Sequence, residues 1–310
     1  NTVRQTALRT LRDIGLHVPS HTVRNRLAAA GIAIRDERAF FKETVVTDWI
    51  ETYKSREKTV VQDRTLRVLS DSHALYLRNP ESGGIERLTA ASVAYWTRMI
   101  GALVEQGRIH ASDCIGLPGD VPSHVAPLWQ QFIGATLLPN PSIRAYSVDV
   151  LPFVTEFARI LDVSVSAGVH TVSPLVFGGE ELDVCLAMLD AGTQDSFGLT
   201  SMPILGVTAP LDWHAAWAQA LAETVGGAIA FEALGARDIS ICTALYPADM
   251  RTSGLVFGSP EHVLITLTEA RVNGEILGNP RRAAKALYTS EKEPGTLAAT
   301  DKAIHTLAAL

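Results

Sequence analysis

From Ile109 onward the sequence repeats one unit: a short β-branched or apolar run, a loop of small and polar residues, then a segment with helical spacing. The short runs fall at 114–117, 144–148, 163–165 with 169–172, 196–200 and 239–244. Helical segments follow at 125–133, 152–160, 179–190, 212–231 and 260–272. A parallel pair of strands needs a long crossover, usually a helix, so this alternation predicts parallel strands. A (β/α) barrel and an open doubly wound sheet both satisfy it. The open sheet loses ground because no Gly-rich dinucleotide fingerprint follows the first strand and no GxxxxGK[ST] phosphate loop exists. The expected class is therefore α/β, a TIM-type barrel over 109–310.

Residues 1–108 read differently, as a helical and β cap. Val3, Ala7, Leu8 and Leu11 keep helical spacing over 2–13, and Gly15 stops that helix. Ser20 is placed to cap a second helix carrying Val23 and Leu27, with Gly31 after it. The pair resembles a DNA-binding unit only in outline. Arg4, Arg9, Arg12, Arg24 and Arg26 alternate with apolar residues and read as a solvated helix face. The net charge of −6 argues against a nucleic-acid partner. Alternation at 59–61, 65–69 and 74–77, broken at Asn79-Pro80 and Gly83-Gly84, predicts a hairpin or meander, and 89–106 reads as a helix.

With 310 residues, 47% of them hydrophobic and 19% charged, the chain suffices for one large α/β domain with a buried core. Cys114, Cys185 and Cys242 are far apart, which fits a reducing cytosol and no zinc motif. No run of about 18 apolar residues and no signal peptide is present, so the expectation is a cytoplasmic protein without a membrane partner. The chain starts at Asn1 and stops at Leu310 within a helix-like run, 298–310. Both ends are expected to be cut, with the barrel truncated at the C-terminus.

In a barrel, residues at the C-terminal ends of strands face the pocket. That rule selects Asp120, Tyr146, Ser173, Ser201, Met202, Tyr246, Asp249 and Arg251, with His170 just short of a strand end. Each has a plainer reading: Ser173-Pro174 as a strand stop, Met202 as core filler, His170 as a hydrogen-bonded structural histidine. Asp249 and Arg251, two apart, either pair in a turn or form two walls of a pocket. In Gly258-Ser259-Pro260-Glu261, Ser259 reads as an N-cap, Pro260 as the first helical residue and Glu261 as a dipole partner. Glu261 stays a candidate as well. Glu223 lies in an apolar helix, where it reaches a loop backbone or faces solvent. Gly226-Gly227 costs that helix about 1 kcal/mol per Gly against Ala, so close packing is expected there. The nine His show no metal spacing, and there is no HExxH or GxSxG. Without metal, nucleophile or nucleotide motif, the reactive group is expected from a partner or cofactor.

Four segments, VSPLVFGGEELD (172–183), TSMPILGVTAP (200–210), AETVGG (222–227) and DMRTSGLVFGSPE (249–261), resemble the trimethylamine methyltransferase family in sequence and order. ALRTLRDIGLHV (7–18) and LAAAGIAI (27–34) are similar to the family's opening helices. The resemblance implies a (β/α)8 barrel that moves a methyl group from trimethylamine or a quaternary amine such as glycine betaine. The acceptor it implies is the Co(I) corrinoid (cobalamin) of a separate cognate protein, with no cofactor bound directly and no metal ligand. A homo-oligomer is left open. Trimethylamine members carry pyrrolysine shortly after the segment matched by DMRT. Here ILGNPRRAAKALYTS (276–290) holds only common residues, which implies a non-pyrrolysine, glycine betaine-type member. Aromatic faces and a carboxylate suit a quaternary ammonium, so Tyr146, Tyr246 and Asp249 are expected around it, with Arg251 free to hold a substrate carboxylate. Asp249, Arg251 and Tyr246 form the expected catalytic set. Tyr146, Ser173, Ser201, Met202, Pro203 and Glu261 form the expected substrate contacts. The chain departs from the family at Leu211-Asp212-Trp213-His214-Ala215. That departure motivates one alternative, a degenerate barrel that binds a methylated amine as a sensor. A further alternative is an unrelated barrel lyase or hydrolase with Asp249 as base.

Overall fold

Helix α1 (Thr2–Asp13) opens a computed structural model that describes residues 2–56, 68, 70, 73–79, 81–111, 113–279 and 288–309. The contacts gather the chain into two units, Asn1–Gln62 with Gly168–Leu310, and Asp63–Ala167. These cuts fall elsewhere than the expected boundary at 108/109. Gly15 ends α1 at φ +69, where a Cβ would run into the Ala39 carbonyl. Strand β1 (Leu16–His17) follows, then α2 (His21–Ala29), whose first turn is closed by the Val23 N–H donating to Ser20 Oγ at 3.3 Å. Strands β2 (Ala33–Arg35) and β3 (Arg38–Phe40) complete an antiparallel sheet in the order β1-β3-β2. Helix α3 (Glu43–Ser55) buries Val46, Trp49, Ile50 and Tyr53. Several of the N-terminal arginines sit in ion pairs: Arg4 with Glu51, Arg12 with Asp13 and Glu43, Arg24 with Glu37, Arg26 with Asp190.

In the second unit, β4 (Tyr76–Arg78), which overlaps the expected run 74–77, pairs with an unforeseen strand β5 (Ile85–Arg87) in a hairpin, its turn held by Asn79 Oδ1 accepting from the Glu81 N–H at 2.8 Å. The rest of the expected meander, 59–61 and 65–67 with 69, lies outside the described residues. Thr89 and Ser92 make a reciprocal capping box for α4 (Ala90–Glu105). The expected strand at 114–117 is not formed. The chain makes a single bridge there, Ala74 to Gly116, and a Cβ on Gly116 would strike the Ala74 carbonyl. Gly116, Pro118 and Gly119 are poor ladder residues, and local turn chemistry wins. Helix α5 (Ala126–Leu137) and β6 (Ile143–Arg144) follow. The expected strand 144–148 stops at Arg144, because Val148–Val150 is a 3-10 turn leading directly into α6 (Leu151–Leu161), with Pro152 in its first turn. Strand β7 (Val165–Ser166) pairs parallel with β6 across that helix.

The first unit resumes with β8 (Gly168–Thr171), α7 (Glu180–Asp190), β9 (Ser196–Ser201), α8 (Trp213–Ala233) and β10 (Asp238–Cys242). The three strands form one parallel sheet in the order β10-β9-β8, with Thr171 opposite Ser201 and Thr200 opposite Cys242. Here the predicted alternation of parallel strand and helical crossover holds. Helix α8 is buried on all sides from Ala216 to Phe231 save at Gln219, not along one stripe. The paired glycines allow this. A Cβ on Gly226 would lie 2.5 Å from Leu11 of α1, and one on Gly227 3.1 Å from Leu199 of β9. The chain continues through the hairpin β11 (Ala248–Asp249) and β12 (Gly254–Leu255) to α9 (Pro260–Arg271). A π turn (Val272–Ile276) and α10 (Thr296–Ala309) come after it. Ser259 caps α9 by accepting from the His262 N–H at 3.2 Å, as its sequence predicts. No helix among the described residues is long and apolar enough to cross a membrane.

Candidate active site

The register of the parallel sheet sets the level of the site. Thr171 and Ser201 end β8 and β9 side by side, and β10 ends one step away at Cys242. Beyond these ends the ladder is carried on by other groups. The buried Ser201 hydroxyl accepts from the Ala244 N–H at 3.0 Å and donates to the Ala244 carbonyl at 3.2 Å. The Tyr246 N–H donates to the Pro203 carbonyl at 3.0 Å, and the Leu205 N–H to the Tyr246 carbonyl at 2.8 Å. A Cβ on Gly206 would lie 2.5 Å from Met250 Sδ, so Gly206 leaves the room that Met250 fills. Segments 201–206 and 244–250 thus run together. Ser201, Met202, Pro203, Tyr246 and Asp249 are gathered into one neighbourhood. Ser201 serves there as a backbone stitch, Pro203 is buried, and Met202 is 38% exposed.

Glu223 joins the first strand end to this neighbourhood, and its position is one of the two that the sequence left open. It is fully buried and turns to the loop after β8. Its Oε2 accepts from Ser173 Oγ at 2.6 Å and Thr171 Oγ1 at 3.2 Å. Its Oε1 accepts from the Leu175 N–H and from Gln219 Nε2, both at 2.9 Å. Gln219 Nε2 also donates to the Thr208 carbonyl at 2.7 Å, and Thr208 Oγ1 accepts from the Ile204 N–H at 2.8 Å. One chain of hydrogen bonds therefore runs from the end of β8, through α8, to the loop after β9. The loop it grips is held from the other side as well. The His17 N–H donates to Leu175 O at 2.8 Å, the Phe177 N–H donates to His17 O at 2.9 Å, and Val172 and Val176 exchange both backbone bonds. Leu175 sits there at φ +57, the left-handed region that a leucine enters only when its surroundings demand it. Burial pushes the Glu223 carboxyl above its usual value, and its four hydrogen bonds pull the other way.

Asp249 and Arg251 resolve to the turn pair. The Arg251 guanidinium clasps the carboxylate with Nε at 3.1 Å from Oδ1 and Nη2 at 3.0 Å from Oδ2, and the Arg251 N–H adds a third bond at 2.9 Å. The side-chain hydrogen bond from Arg251 holds the Asp249 carboxyl below its usual range. Arg251 is otherwise 89% exposed. The remaining candidates scatter. Tyr146 is half-buried in the other unit, where Asp120 Oδ1 accepts from the Ala90 N–H at 2.7 Å and so holds the start of α4. His170 points away to Glu181 at 3.0 Å, a structural pairing. Glu261 is exposed in the first turn of α9, which fits the dipole reading.

The sequence reading passed over Gln219. Its signal was there: Gln219 and Glu223 stand four apart in a helix otherwise nearly free of polar groups, the spacing that puts two side chains on one face. The three cysteines are buried, and none is joined in a disulfide. Burial pushes the Cys114 thiol up to about 11 and the Cys185 thiol up to about 12, which keeps both protonated and unreactive. Among the described residues, no group of three or more His, Cys, Asp or Glu is placed to hold a metal ion. What the arrangement offers is a rigid shelf of strand ends with one buried carboxylate behind it, suited to holding a small molecule in place.

A family model for trimethylamine methyltransferase matches residues 156–310, a stretch that contains the whole parallel sheet, Glu223 and the Asp249–Arg251 turn. No curated protein matches the chain.

Proposed function

The chain belongs to the trimethylamine methyltransferase family, and on that premise we propose that it takes one methyl group from a quaternary or tertiary amine of the glycine betaine kind. The methyl passes to the Co(I) corrinoid of a separate partner protein, which enters the reaction as a substrate. Family membership assigns methyl transfer as the activity; the amine and the acceptor are the proposal's own. The family match over 156–310 carries the reading, because it falls on the strand ends that the hydrogen bonds gather. We further propose that the parallel sheet β8–β10 is part of a (β/α)8 barrel whose C-terminal face holds the amine.

The chemistry asks little of the protein beyond placement. From a quaternary or protonated tertiary nitrogen, the N–CH3 bond breaks with its electron pair kept by nitrogen, so a neutral amine leaves, and the acceptor supplies the pair that forms the new bond to carbon. Ser201 and Ala244 fix the spacing of two strand ends, and the Tyr246–Pro203 bonds fix the next layer. Such rigidity is what in-line alignment requires. Tyr246 is proposed to offer its ring face to the ammonium. Asp249 and Arg251 are proposed to meet the substrate as a pair, the guanidinium reaching its carboxylate. The divergent segment 211–215 supports an intact scaffold: Asp212 caps α8 by accepting from the Ala215 N–H at 2.8 Å. The test is direct. Protein mixed with reduced corrinoid protein and glycine betaine should convert the acceptor's absorbance to that of its methylated form. No transfer from any member of a panel of methylated amines would overturn the reading.

A further inference from the structure

We propose that Glu223, buried behind Ser173, is the fixed negative charge that selects a cationic methyl donor, acting as a positioning residue through the Ser173 hydroxyl. The inference rests on the methyl-transfer reading and names what that reading lacks, the group that distinguishes a charged amine from a neutral body of the same shape.

Among the carboxylates near these strand ends, Asp249 and Glu223 make the clearest contrast. Asp249 is already neutralised: both its oxygens are taken by the Arg251 guanidinium, and the pair stands in solvent. Glu223 is the opposite case. Its four hydrogen-bond donors, from Thr171, Ser173, Leu175 and Gln219, are all neutral. No ion pair among the described residues reaches it. The hydrogen bonds also indicate the carboxylate form. The Leu175 N–H can only donate. Gln219 Nε2 is fixed as the amide nitrogen because it also donates to the Thr208 carbonyl, which cannot donate in return. Oε1 therefore faces two obligate donors. On the other side, the 2.6 Å contact with Ser173 Oγ has the length of a hydroxyl donating to an ionised oxygen.

A buried anion satisfied only by neutral donors keeps an uncancelled field. The Ser173 hydroxyl spends its proton on Glu223, so its lone pairs point elsewhere, and Ser173 is only half-buried. A quaternary ammonium has no N–H and cannot compete for any of these hydrogen bonds. It can answer the charge without disturbing the network. Because the attraction acts on the ground-state cation and weakens as nitrogen loses its charge, it contributes to substrate binding and not to the chemical step.

Calorimetry on the full chain tests this with glycine betaine, tetramethylammonium and the neutral-headed isostere 3,3-dimethylbutanoate. The wild-type protein should bind the cationic heads more tightly than the isostere. In Glu223→Gln the amide keeps the shape, its oxygen still accepting from Leu175 and Gln219 and its NH2 donating to the two hydroxyls. That variant should lose on the order of 10- to 100-fold in affinity for both cations, while the isostere binds as before. With reduced corrinoid protein present, its KM should rise by that factor and kcat should not fall. Should Glu223→Gln not fold, Glu223→Asp, which keeps the charge, must still prefer cations. Equal wild-type affinity for betaine and isostere, undiminished cation binding by a folded Glu223→Gln, or lost discrimination in a folded Glu223→Asp overturns the inference. A wild-type protein that binds none of the panel instead overturns the methyl-transfer reading on which it rests.

Discussion

At the scale of single residues, Glu223 and Asp249 show how neighbours decide what a carboxylate is for. Asp249 stands two residues from an arginine in a tight turn, and the pairing is local. Glu223 depends on a serine and a threonine about fifty positions away in sequence. Its raised titration point carries a sign. A carboxyl that ionises less readily in the folded chain than in the unfolded one stabilises the fold at low pH, and loses that contribution as pH rises through its folded value. Urea unfolding across a pH series should show wild type losing stability relative to Glu223→Gln in the window from the ordinary glutamate value of 4.5 upward, and parallel curves would refute this. Glu223→Ala removes four partners at once and strands a buried N–H at Leu175. A loss of at least about 2 kcal/mol is expected at every pH, read from the same unfolding curves. Asp249 was legible as half of a pair because two residues span one turn. The burial of Glu223 was not legible, since an apolar helix can turn a glutamate outward or inward depending on what surrounds it.

At the scale of elements, local chemistry and packing divide the work. The caps Ser20, Ser259 and Asp212 were readable or nearly so, since an N-cap is settled within four residues. Asp212→Ala should cost about 0.5–2 kcal/mol in thermal or urea unfolding, because it uncaps the longest helix among the described residues. The glycine pair of α8 is a matter of contact. Gly226→Ala drives a methyl to within 2.5 Å of Leu11, so overpacking of about 1–3 kcal/mol outweighs the helix-propensity gain of about 1 kcal/mol. Gly227→Ala meets Leu199 at 3.1 Å and should cost less. Comparison of the two midpoints checks the ordering, and a larger loss at Gly227 would reverse the packing argument. Strands failed where this division predicts. Residues 196–200 and 239–244 were found nearly to the residue because short apolar runs between turn and helix signals mark buried strands. The run 114–117 carried a glycine pressed against a carbonyl and formed one bridge instead.

For the whole molecule, the buried cysteines offer a measure of how the folded chain opens. Cys114 reports on Asp63–Ala167, and Cys185 on the unit formed by the two ends of the chain. With both thiols pushed up to about 11 and about 12, an aromatic disulfide reagent at neutral pH should label neither until the surrounding unit unfolds. Mass-spectrometric labelling along a urea gradient gives the order. Labelling of Cys185 in the native protein would contradict its burial. The packing of α1 on α8 was invisible beforehand, because more than 200 positions separate Leu11 from Gly226.

The sequence by itself determined the helices other than α3, the caps Ser20 and Ser259, the parallel alternation after residue 168 and the methyltransferase family. All of these are written in short-range patterns or in contiguous motifs, where a few neighbouring residues suffice. Only the tertiary structure decided that α1 lies against α8, that Gln219 and Glu223 bind two strand-end segments into one network, and that Asp249 is neutralised while Glu223 is not. Those outcomes depend on which distant groups reach each side chain and on how completely water is excluded, and neither is fixed by spacing along the chain.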